Sequence, residues 1–162
     1  MVLGMSISTY TAIHVVISVI GILSGLIVLF GMLAGNRLDG LTALFLTTTV
    51  ATSVTGFGFP FHEFGPPHAV GILSLIVLAI AIVSRYPKRL AGGWRKAYVI
   101  TAILALYLNV FVGVVQAFEK VAALHALAPK QTEPPFAVTQ IAVLALFIVL
   151  GFLAVRRFPR EM

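Results

Sequence analysis

Five apolar runs, each close to the length of a bilayer-crossing helix, follow one another with only short polar breaks, and that spacing leaves little choice of fold. A hydrocarbon core of roughly 30 Å needs about 20 helical residues. The runs lie at about Ser8 to Ala34, Leu41 to Phe59, His68 to Tyr86, Ala97 to Phe118 and Phe136 to Val155. With 60% hydrophobic and only 10% charged residues among 162, a soluble core-and-surface arrangement is excluded. The expected architecture is all-α: a polytopic membrane protein with five transmembrane helices in one bundle spanning residues 1–162 as a single domain. The fourth helix is expected to extend to about residue 127 before the chain turns at Pro129 and Pro134-Pro135.

The basic residues assign sides to the bundle. Arg37 follows the first run, Arg85, Lys88, Arg89, Arg95 and Lys96 separate the third from the fourth, and Arg156, Arg157 and Arg160 close the chain. Of the 11 Lys and Arg, all but Lys120 and Lys130 therefore fall at one end. The positive-inside rule places the N-terminus outside and the C-terminus in the cytoplasm. No Lys or Arg precedes Arg37, so the first run lacks the basic leader of an export signal and reads as a mature helix. The net charge of +6 is topological: the basic clusters lack the interleaved aromatics that track a nucleic-acid backbone. Trp94, Tyr98 and Tyr86, beside these clusters, read as interfacial anchors.

Polar chemistry concentrates at the opposite end. Residues 56–68 crowd two histidines, Glu63, Pro60, Pro66, Pro67 and Phe57, Phe59, Phe61 and Phe64 between two apolar runs. Prolines and glycines at this density end helices and fix a tight aromatic turn. At 1.5 Å per residue, His14, His62, His68, Gln116 and Glu119 all come out about 27–33 Å from the basic end. They share one layer at the outer boundary, and His125 on the helix-four extension is placed to fold back over it.

Two readings of that layer stand side by side. His14, His62, His68 and His125, with Glu63 or Glu119, could ligate a divalent metal or supply the axial ligands of a haem b. Alternatively, the interface is simply where a membrane protein places imidazole and carboxylate at small cost. With no cysteine, thiolate ligation and covalent haem attachment are excluded. His62-Glu63 and His68 do not form a metalloprotease helix, because the spacing is six and Pro66-Pro67 intervene.

Asn109, Gly113, Gln116 and Lys120 share one face of the fourth helix. Asn109 falls near mid-membrane, where an amide usually bonds a neighbouring helix, and the hydroxyls of Thr47, Thr48, Thr49, Thr52 and Ser53 are its expected partners. Ser18, Gly21 and Gly25 form a close-packing stripe on the first helix. Gly21-Ile22-Leu23-Ser24 is echoed by Gly71-Ile72-Leu73-Ser74 at the matching place in the third run. No acidic or basic residue falls at the hydrocarbon centre, which argues against a proton pump or voltage sensor. Phosphate-loop and hydrolase-serine motifs are also missing.

Leu38-Asp39-Gly40-Leu41-Thr42-Ala43-Leu44-Phe45-Leu46, Val54-Thr55-Gly56 through Phe59-Pro60-Phe61-His62, Tyr107-Leu108-Asn109-Val110-Phe111-Val112, and Ala128-Pro129 through Glu133-Pro134-Pro135-Phe136 resemble a group of small multi-pass inner-membrane proteins of rhizobial-type bacteria. The resemblance implies a bacterial inner-membrane location and carries no activity. Histidines in a small helical bundle also give a fainter likeness to cytochrome b561-type carriers, which implies haem on facing helices. Two functions from different classes follow. One is a non-catalytic accessory or structural subunit that docks a larger membrane complex or a lipid of the surrounding bilayer. The other is a haem- or metal-binding redox protein exchanging electrons with quinone at the histidine layer.

Overall fold

The structure is a computed structural model describing residues 1–159, so Arg160, counted above among the basic end, lies outside the described residues. Its elements are α1 (Ile7–Leu33), α2 (Asp39–Gly56), α3 (Pro66–Arg85), α4 (Trp94–Lys120), α5 (Ala122–Leu127) and α6 (Pro134–Arg157). Among the described residues, α1, α3, α4 and α6 are the helices long and apolar enough to cross a membrane. The second run forms α2, whose 18 residues are diluted by threonines. It lies antiparallel along α1, because Tyr10 and His14 meet Thr55, Gly21 meets Thr48 and Thr49, and Gly25 meets Phe45.

Three contacts bring the basic ends together. Arg85 donates to the Asp39 carboxylate, Arg95 Nη1 donates to the carbonyls of Val155 and Phe158 at 2.9 Å each, and Arg157 donates to the Leu33 carbonyl. The Arg95 bonds satisfy carbonyls left without helical partners at the end of α6. Helices α1 to α4 form a ring in which each packs on the next and α4 closes on α1. Helix α6 stands outside that ring against α1 and α4. Its buried residues Gln140, Phe147 and Ala154 recur every seven residues, so it docks along one narrow seam.

The ring is packed unequally along its length. The core is built from Val28, Leu29, Met32, Phe45, Leu46, Val77, Leu78, Ala81, Val99, Ala102 and Leu106, all in the basic half. Gly25 permits a close approach there, since a Cβ would lie 2.6 Å from Leu106 Cδ1 and 2.9 Å from the Phe45 ring. Tyr98, expected at the interface, is instead fully buried in this half, with the Arg85 guanidinium 5.0 Å above its ring. The ring provides the cation a polarisable face where water is excluded. Trp94 and Tyr86 keep the partial exposure expected of anchors.

Two helix ends differ from expectation. Helix α2 stops at Gly56 and does not run through Phe59, because Pro60 disfavours helical geometry at the preceding residue and Tyr10 Oη caps the end by donating to the Thr55 carbonyl at 2.7 Å. His62 consequently sits on the loop. Helix α4 does not extend to residue 127 but ends at Lys120, where Val121 turns to extended geometry and starts the separate α5. His125 Nδ1 lies 3.3 Å from the Phe118 carbonyl, one of those the break leaves without a helical partner.

Candidate functional site

Above the packed half, the ring leaves a partly open cavity of about 850 Å³. Helix α1 contributes His14 and Ser18, α2 contributes Thr49 and Ser53, α3 contributes His68 and Ser74, and α4 contributes Asn109 and Gln116. Its rim carries Glu119 and Lys120, and Phe57 and Phe59 wall it toward the loop. The remaining lining is chiefly aliphatic, from Val15, Val19, Ile22, Val70, Leu108 and Val112. A mostly apolar chamber of this volume with a few convergent polar groups has the character of a small-molecule site.

The chamber stays open because the side chains facing it are small at each level. On α2, Thr49, Thr52, Ser53 and Gly56 follow one another along the lining, so no long side chain fills the space. Its hydroxyls can sit in a membrane because each donates to the carbonyl one turn back: Thr49 to Phe45 at 2.7 Å, Thr52 to Thr48 at 2.8 Å and Ser53 to Thr49 at 3.0 Å. These are the groups expected to bond Asn109, and they are committed elsewhere. The Asn109 amide nitrogen is buried and has no hydrogen-bond partner, while Thr48 and Thr49 meet it only around the backbone of Gly21.

Their hydrogen-bond partners assign the two cavity histidines opposite tautomers. Thr55 spends its one hydroxyl proton on the Ala51 carbonyl at 2.6 Å, so its oxygen accepts from His14 Nδ1–H at 2.7 Å. Neutral His14 then carries a lone pair on Nε2. His68 Nδ1 instead accepts from the Gly65 N–H at 3.0 Å, which places its proton on Nε2. This bond ties the third residue of α3 back to its N-cap, and Pro66-Pro67 occupy the first turn, where their missing N–H groups cost nothing. Phe61, Phe64 and Phe57 surround the His68 ring at centroid distances of 4.2, 5.5 and 6.0 Å.

Of the residues singled out from the sequence, His14, His68, Asn109, Gln116 and Glu119 line the one cavity. Gln116 Nε2 donates to Glu119 at 3.4 Å on the rim. His62 and Glu63 are exposed on the loop, and His125 is exposed on α5. Among the described residues, no three His, Asp or Glu side chains cluster as a metal site would require. The sequence reading passed over Tyr10 and Ser74. Tyr10 lies one helical turn before His14, a signal that was available; Ser74 is marked only by its place in the Gly71-to-Ser74 echo. The echoed serines differ in role, since Ser24 donates to Ile20 while Ser74 faces the cavity.

No protein-family model, curated protein or solved structure matches the chain.

Proposed function

We propose that this is a five-span protein of a bacterial inner membrane, with its N-terminus outside, that serves as a non-catalytic accessory subunit by holding a membrane-derived amphiphile between α1 and α4. The observation that carries the reading is the uneven packing of the ring: tight from Val28 to Leu106 at the basic end, open as an 850 Å³ chamber at the other. A hollow lined by aliphatic groups, with polar atoms at its floor and rim, matches a ligand with an apolar body and a small polar head.

The span beyond the four most apolar helices is α2, which packs antiparallel along α1 and whose Thr49, Thr52 and Ser53 hydroxyls donate to its own carbonyls. The bias of basic residues to one end supports the stated orientation. Cysteines introduced singly at Gly4 and Gly92 test it with a membrane-impermeant thiol reagent. Labelling of the first alone in intact cells fits the proposed topology; labelling of the second alone inverts it.

A redox role at the histidine layer has less support. His14 Nε2 is free to ligate, but His68 Nε2 carries its proton for as long as Nδ1 accepts from Gly65. His62, Glu63 and His125 are not among the residues that line the chamber.

The test of the amphiphile reading is native mass spectrometry of protein extracted in mild detergent. A discrete adduct is expected in the natural protein and absent from Gly113→Phe, which fills the chamber from a position where a Cβ meets only Ile22 Cδ1 at 3.5 Å. No adduct in either sinks the reading. A visible haem spectrum in the purified protein would replace it with the redox one.

A further inference from the structure

The hydrogen-bond inventory of the chamber sorts the ligands it can take. Each serine or threonine hydroxyl has one proton to give. Thr11 gives it to Ile7 at 2.8 Å, Ser18 to His14 at 2.7 Å, and Thr49, Thr52 and Ser53 to α2's own carbonyls. All five line the chamber, so they present oxygens that accept and cannot donate without breaking a helix bond. His14 adds a sixth acceptor at Nε2, because its only ring proton is held by Thr55.

Donors are fewer and sit apart from that row. Asn109, only 8% exposed, has an amide nitrogen with no hydrogen-bond partner among the described residues. The Ser74 hydroxyl, His68 Nε2–H, Gln116 and Lys120 are the further donors, the last two at the rim. Lys120 disfavours a cationic head, and no carboxylate lies below Glu119 to hold one. A head that only accepts, such as a ketone or an ester, would find Asn109 and leave the whole acceptor row of α1 and α2 unpaired.

We propose that the chamber selects an uncharged amphiphile whose head carries hydroxyl groups, which donate to the Ser18, Ser53 and His14 acceptors and accept from the Asn109 amide. The proposal rests on the amphiphile reading above and narrows it to a ligand class. Leaving a buried donor unpaired is costlier than the net gain from making the bond, so the amide and the acceptor row together favour a head with both capacities.

The probe pair is 1,2-hexadecanediol and its dimethyl ether, which keep the same chain and the same oxygens and differ in the donors. Each is titrated into the full protein in phosphatidylcholine nanodiscs, free of sugar detergents, with bound probe counted by native mass spectrometry. The diol is expected to bind about tenfold tighter, the effect of one to two hydrogen bonds. In the Ser18→Ala/Ser53→Ala variant the diol should weaken toward the ether while the ether is unchanged. Equal binding of the two probes, or a preference that survives the double variant, overturns the hydroxyl assignment and leaves the amphiphile reading standing. Binding of neither removes both.

Discussion

His14 Nδ1 and Thr55 Oγ1 lie 2.7 Å apart across the α1–α2 interface, and the Thr55 proton is already given to Ala51 at 2.6 Å. The pair therefore fixes which nitrogen of His14 is protonated, and with it the lone pair offered to the chamber. Thr55→Val keeps the shape and removes the acceptor. Nitrogen NMR of selectively labelled histidine should show His14 protonated at Nδ1 in the natural protein and shifted toward the Nε2–H form in the variant. An unchanged tautomer would show that Thr55 does not set it.

Glycines on the two sides of the α1–α2 contact should respond differently to a methyl group. At Gly25 a Cβ would lie 2.6 Å from Leu106 Cδ1 and 2.9 Å from Phe45, both 1% exposed and unable to move freely. Gly25→Ala is expected to cost about 1–3 kcal/mol through overpacking. At Gly40, in the first turn of α2, nothing lies within 4 Å, so Gly40→Ala should be neutral or stabilise by up to about 1 kcal/mol through helix propensity. Unfolding in mixed detergent micelles compares the two directly, and equal effects would contradict the packing described.

These contrasts show where the sequence was legible and where it was not. Helices form at the places the apolar runs indicate, and four of them are long and apolar enough to cross a membrane, because chain length against bilayer thickness is nearly the sole constraint on them. Proline and glycine marked the Phe-rich loop and the start of α3 for the same local reason. The inward face of each helix was harder to read, since lipid-facing and core-facing positions are both apolar and no amphipathic contrast separates them. Tyr98 beside Arg95 therefore looked like an anchor, although its neighbour in space is Arg85. Asn109 and the α2 hydroxyls of Thr49, Thr52 and Ser53 line the same cavity. Their failure to bond each other depends on back-bonding within α2, which residue type alone does not reveal.

The seam that holds α6 is narrow, so its end contact should matter more than its area suggests. Arg95, 7% exposed, donates to the Val155 and Phe158 carbonyls. Arg95→Ala leaves both acceptors unpaired at a cost of about 1.5–3 kcal/mol for bonds to a charged donor. Trypsin should then cleave after Arg156 and Arg157 faster than in the natural protein, with Arg95→Lys intermediate because ammonium lacks the planar fork. Identical cleavage of all three would mean that the contact does not secure the end of α6.

The turn before α6 should loosen in acid. Glu133, its N-cap, accepts from the backbone N–H of Lys130 at 3.2 Å and of Thr132 at 3.1 Å. Slight desolvation acts to raise the Glu133 pKa, but the N–H groups of Glu133, Lys130 and Thr132 and the Lys130 charge outweigh it and hold the carboxyl below its ordinary value of 4.5. Because the folded pKa is depressed, the carboxylate's contribution is complete above the ordinary value. It is lost as pH falls through the folded one, where protonation removes the acceptor charge. Hydrogen exchange at the Lys130 and Thr132 amides, corrected for intrinsic rate, should therefore accelerate in acid in the natural protein. In Glu133→Gln it should be fast already at neutral pH and should not change across that window. Protection in the variant that matches the natural protein at neutral pH would show that the backbone of the turn holds without the carboxylate.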